Sequence, residues 1–172
     1  FDRDLSLAGR VSFADAVGTL QTAMVDFRRP LGVIPSLAIH LDREANQSRS
    51  VNPQTDILPV LALQADAKLP DFRDLLAQRL REEHPGCDVQ RVLDYELSFY
   101  DTQPAALVGL HEEFIASARL DNLLSCFTGL QALLAADGKQ SCLLVCNDHE
   151  EVGSLSTSGA QGPLLMSALR RM

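Results

Sequence analysis

The 172-residue sequence predicts an α/β protein in two regions, and three observations carry that prediction. Period-two alternation at Leu5–Phe13 and Val92–Tyr100 marks strands in the first region, with a single amphipathic helix at Asp71–Glu83 between them. From about Leu97 onward, extended runs alternate with helical ones, an order that implies a sheet covered on both faces by helices. Apolar residues make up 46% of the chain and charged residues 22%, proportions of a globular protein with a core to bury.

The elements follow in order. Leu5–Phe13 reads as a strand, and Gln21–Phe27 as a second. Arg28-Arg29-Pro30-Leu31-Gly32 is a turn. Ser36–Leu41, directly after Pro35, is expected to form a short helix. Asp42–Asp56 is polar and aperiodic, a long loop. Ile57–Leu63 is apolar, but Pro59 demotes it to an edge strand or a loop. In Asp71–Glu83, Phe72, Leu75, Leu76 and Leu80 share one stripe, and Pro85-Gly86 ends the helix.

Val92–Tyr100 leads as a strand into the second region, and Asp101–Pro104 turns the chain. Leu107–Leu110 and Glu113–Ala116 are short and extended. Asp121–Ala136 is a helix with Leu123, Leu124, Phe127, Leu130, Leu133 and Leu134 on its inner side, stopped at Asp137-Gly138. Ser141–Cys146 then reads as a buried strand, followed by Asp148-His149-Glu150-Glu151, a small-residue loop at Ser154–Gly159, and a last helix beginning near Gly162. The regions are placed at 1–96 and 97–172. The start at Phe1 and the stop inside a helical pattern read as an internal piece of a longer polypeptide.

Charge and cysteine usage narrow the function. Fifteen basic against 23 acidic side chains give a net charge of −8, which argues against a nucleic-acid or anionic-membrane partner. No apolar run approaches the ~20 residues that span a bilayer, and the polar start carries no signal peptide. Cys87, Cys126, Cys142 and Cys146 fit no CxxC zinc spacing. Cys142 and Cys146, four apart on the expected strand, read as two buried free thiols, in keeping with a cytoplasmic protein.

The chemistry concentrates at Cys142-Leu143-Leu144-Val145-Cys146-Asn147-Asp148-His149-Glu150-Glu151-Val152-Gly153-Ser154. A strand that ends in a burst of carboxylates is where α/β enzymes place reactive groups. Paired glutamates suit metal-assisted hydrolysis, one binding the cation and one moving protons. The plainer reading is an acidic loop capping a strand. Asp121 has its own plain reading as a helix N-cap. It also precedes the helix that leads into the glutamate-bearing strand, and a β-α-β unit brings neighbouring strand ends together.

Arg119-Leu120-Asp121-Asn122-Leu123 and Asn147–Ser154 resemble the aspartyl aminopeptidase family of dinuclear-zinc aminopeptidases. Phe1–Arg10, Ile34–Arg43 and Ser98–Pro104 fit the same family, so the likeness covers nearly the whole chain. The resemblance implies a mixed-sheet zinc-peptidase catalytic domain over 97–172. Residues 1–96 would form most of a β-rich inserted domain that makes dimer contacts within a dodecamer. It implies removal of an N-terminal residue, Asp or Glu in the best-known branch, from peptide substrates. It implies two Zn²⁺ ions bridged by Asp121, Glu151 as a terminal ligand and Glu150 as general base. His40 would reach the active site of a neighbouring subunit and help hold the substrate carbonyl. The family's other metal ligands, an upstream histidine and a downstream aspartate and histidine, have no counterpart here. The piece by itself is therefore expected to be inactive, and the alternative for it is a non-catalytic assembly or interaction module.

Overall fold

The computed structural model describes residues 1–63 and 71–172, which form two compact units, Phe1–Pro104 and Ala105–Met172. One strand, Arg91–Asp101, runs continuously through residues 96 and 97.

The first unit is an antiparallel sheet with one helix against it. Strand β1 (Leu5–Ala14) is central, flanked by β2 (Leu20–Asp26) and β3 (Arg91–Asp101). The alternation of β1 turns Leu7, Val11 and Phe13 inward, where they meet Leu76, Ala77 and Leu80 of helix α1 (Phe72–Glu83) in the buried core. Helix α1 starts where the Asp71 carboxylate accepts the Arg73 N–H at 2.8 Å. Its far end is fastened to β2. The Glu83 carboxylate accepts the Asp26 N–H at 2.9 Å, and the Arg79 guanidinium donates to the Asp26 carbonyl at 2.6 Å. Tyr100 of β3 donates its hydroxyl to the Asp26 carboxylate at 2.6 Å.

The expected helix at Ser36–Leu41 is a correction. Only a single turn closes there, with Leu41 N–H donating to the Ala38 carbonyl at 2.8 Å. The segment is held instead by Asp2, whose carboxylate accepts the Ser36 N–H at 3.0 Å and the Ser36 hydroxyl, so that its start is tied to the N-terminus and not to a following helical turn. Those bonds favour the ionised form and hold the Asp2 carboxyl below its ordinary range. Among the described residues, Ile57–Leu63 contributes one bridge, between Val33 and Val60, consistent with Pro59 withholding a donor.

The second unit has a short hairpin, β4 (Ala106–Val108) with β5 (Phe114–Ala116), then helix α2 (Leu120–Leu134) and helix α3 (Leu164–Leu169). Two expectations fail here. Ser141–Cys146 forms no strand among the described residues, because a strand exists only through its ladder and no neighbour supplies one. The leucine-rich side of α2 is not an inner side in this chain: no α2 residue is buried, and Leu123, Leu124, Phe127, Leu130 and Leu134 are exposed. Among the described residues no helix is long and apolar enough to cross a membrane.

Candidate metal centre

Two stretches of the second unit build the site. The first is the entry to α2. Arg119 sits in the left-handed region at φ 62° as the residue before the helix, and no side chain caps it. Asp121 (φ −82°, ψ 112°) and Asn122 are not yet helical. Asp121 is therefore not the N-cap of the plainer reading: its carboxylate accepts no capping bond, and it is free to face elsewhere. The second stretch is the turn after Asn147, closed by the Gly153 N–H donating to the Glu150 carbonyl at 3.2 Å. Gly153 takes φ 118° there, a conformation natural only to glycine.

These stretches meet. Asp121, Glu150 and Glu151 line one cleft of about 300 Å³, together with Asn122, Asn147, Asp148, His149 and Val152. A carboxylate one residue ahead of a helix and two carboxylates on a distant turn thus share a single concavity. His40, the fourth residue singled out in the sequence, lies in the first unit, exposed in the turn at Ile39–Leu41.

His149 belongs to the same lining. The left-handed backbone at His149 (φ 61°) lets both it and Glu150 face the cleft. Its Nδ1 lies 2.8 Å from the Ser156 hydroxyl and its Nε2 3.7 Å from the Asp148 carboxylate. Asn122 and Asn147 were also missed; the only signal for them was adjacency to Asp121 and Asp148.

The donor set suits zinc in kind but not in number. Carboxylate oxygens are zinc ligands, yet tight centres use three or four protein groups. Among the described residues no three His, Cys, Asp or Glu side chains converge closely enough to hold a metal ion.

A second concavity of about 310 Å³ adjoins the first, with Asn122, Asn147, Asp148 and Glu150 common to both. Cys126 and Cys146 line it. All four cysteines are free; Cys142 and Cys146 are exposed and not buried as expected, since the segment carrying them is not a sheet strand. The neighbouring Cys146 thiol, and to a lesser degree burial, push the Cys126 thiol above its ordinary range.

Comparison with known proteins decides what this arrangement belongs to. The sequence pattern of the Aminopeptidase I zinc metalloprotease (M18) family matches residues 1–172.

The chain belongs to the M18 aminopeptidase family.

It is 59% identical over 172 residues to a probable M18 family aminopeptidase 2 of Pseudomonas fluorescens, covering all of this chain and 40% of that one. It superposes on the cryo-EM structure of the Ape4 and Nbr1 complex with a TM-score of 0.82 at 37% identity, over 99% of this chain and 36% of that chain. Against the mApe1 dodecamer of S. cerevisiae the TM-score is 0.67 at 25% identity, covering 99% of this chain and 39% of the other. The chain thus spans about 40% of the length of the curated M18 relative that it matches. Its two units are a mixed α/β portion of the M18 architecture.

Proposed function

We propose that the chain is part of a zinc aminopeptidase that releases N-terminal residues, acidic ones by preference, from peptides. The observation that carries the proposal is the common cleft of Asp121, Glu150 and Glu151. Asp121 and Glu151 would hold metal, Asp121 shared between two Zn²⁺ and Glu151 serving one of them. Zinc, when bound, would supply a Lewis acid beside the scissile carbonyl and an acidified water. Glu150 would accept the proton of the attacking water and return it to the leaving amine. His40 would act on the substrate carbonyl of a neighbouring subunit in a homo-oligomer, a dimer repeated into a dodecamer. Residues 1–96 would serve that assembly, and the rest of the catalytic domain would supply the remaining metal ligands.

The test compares the 172-residue chain with the full-length protein. With excess Zn²⁺ or Co²⁺, the full-length protein should release N-terminal Asp or Glu from short peptides and lose that activity to a chelator. The 172-residue chain should show no turnover and only weak zinc binding by calorimetry, because two carboxylates fall short of a three- or four-ligand site. A metal-replete full-length protein that releases no N-terminal residue contradicts the proposal.

A further inference from the structure

His40 lies on a stretch, Ser36–Arg49, that no helix or strand holds. Its backbone closes only on itself: the Leu41 and Asp42 N–H groups donate to the Ala38 carbonyl at 2.8 and 3.2 Å, and the Ser48 N–H to the Glu44 carbonyl at 3.2 Å. Among the described residues, every hydrogen bond and cation–π contact from this stretch to the rest of the first unit ends on Phe1 or Asp2. Before His40, the Asp2 carboxylate accepts the Ser36 N–H at 3.0 Å and the Ser36 hydroxyl. After it, the Arg49 guanidinium lies 4.4 Å from the Phe1 ring centroid and pairs with the Asp42 carboxylate at 3.5 Å. The Asp42 and Arg49 side chains are 26% and 29% exposed, so solvent screens this pair less than an open one. Asp2 is itself fixed, its N–H donating to the Ile34 carbonyl at 2.8 Å.

We propose that Asp2 and Arg49 are positioning residues for His40: they clamp its turn from both sides and so fix where the imidazole meets a neighbouring subunit's substrate. The effect on the reaction rests on the proposed function of His40; the clamp does not. A reactive group on a loop is only as well placed as the scaffold that holds the loop. Here the scaffold is the Phe1-Asp2 pair, which takes one end of the stretch through a carboxylate and the other through an aromatic ring.

Contacts of this kind contribute little where a helix or sheet already holds the backbone. On Ser36–Arg49 there is no ladder to take over when they are lost. Removing either contact frees one end of the turn, and the imidazole then spreads over several orientations. A misplacement of about 1 Å in a reacting constellation can cost roughly 10²-fold in rate. The loss belongs in kcat more than in KM, because a group that acts on the carbonyl as it reacts contributes mainly in the transition state.

The experiment uses the full-length, zinc-loaded protein and its Asp2→Ala, Arg49→Ala and Arg49→Lys variants. In both alanine variants kcat should fall roughly tenfold to a hundredfold, with KM changed by less than about threefold. Arg49→Lys, which keeps a cation beside Asp42 and over the Phe1 ring, should restore most of the rate; a lysine variant as slow as Arg49→Ala removes Arg49 from the proposal. Mixed with Glu150→Gln under subunit exchange, each alanine variant should rise several-fold above the mean of the separate proteins, because some sites then pair an intact Glu150 with a neighbour's well-held His40. Mixed with His40→Ala, neither should rise. Unmodified rates in both alanine variants, or slow variants that Glu150→Gln does not complement, overturn the positioning role. Where Asp2→Ala does not assemble, Ser36→Ala, which removes only the hydroxyl bond, decides the same question. Hydrogen exchange over Ser36–Asp42 tests the clamp by itself: faster exchange in both alanine variants supports it, and unchanged exchange overturns it. A full-length protein that never cleaves peptides, or a His40→Ala variant at the unmodified rate, counts against the proposed function, while hydrogen exchange still decides the clamp.

Discussion

At Gly9 the backbone of β1 runs so close to β3 that a Cβ would collide with the Glu96 carbonyl oxygen and lie 2.8 Å from the Leu97 Cα. The obstruction is backbone, which cannot swing aside. Gly9→Ala should therefore cost about 1–3 kcal/mol through local strain, seen as a lower urea midpoint with an unchanged slope; an unchanged midpoint would show that the strands can part there at no cost. The site residues show what a sequence reveals at this scale. Glu150 and Glu151 were legible because two carboxylates after an apolar run stand out. Asp121 was legible only together with the family blocks, since an aspartate ahead of a helix is usually a cap. His149 was not legible, because its orientation depends on a left-handed backbone that residue type alone does not announce.

Among the elements, the strands and helix of the first unit were readable from periodicity because each buries one face within the unit. Leu7, Val11 and Phe13 meet Leu76 and Leu80 from partners that are all present. What periodicity could not disclose is the latch between α1 and β2. Arg79 and Glu83 look like a solvated helix pair, yet their side chains are spent on the Asp26 backbone, the carbonyl at 2.6 Å and the N–H at 2.9 Å. Arg79→Ala should lower stability by about 1.5–3 kcal/mol, the range for hydrogen bonds to charged groups, whereas an exposed pair would cost under about 1 kcal/mol. Chemical denaturation separates the two, and a loss within the lower range would mean that the latch adds nothing. In the second unit the same kind of pattern misled. Leu143-Leu144-Val145 has a strand's composition and α2 has a core helix's leucines, but composition reports what an element can bury, not whether its partner is in the chain.

For the whole molecule, the contrast between the units has a ready account. The buried core lies in Phe1–Pro104, and the chain is about 40% of the curated relative's length. The exposed apolar side of α2 and the unladdered Ser141–Cys146 are what a portion of a larger sheet would show. His40 belongs at this scale too, because its proposed partner is another subunit. In the full-length protein, His40→Ala and Glu150→Gln should each be inactive as pure oligomers. Once subunits exchange, the mixture should regain part of the activity, since some sites then combine an intact Glu150 with a neighbour's intact His40. Demonstrated exchange with no recovery would confine His40 to its own subunit or to a structural part. The central claim divides labour between adjacent glutamates, and zinc content measured beside kcat in full-length Glu150→Gln and Glu151→Gln tests it most directly. Glu150→Gln should keep its zinc and lose roughly 10²–10⁴-fold in kcat, the usual contribution of a general base, while Glu151→Gln should lose zinc. A zinc-replete Glu150→Gln protein that turns over at the unmodified rate would contradict the account.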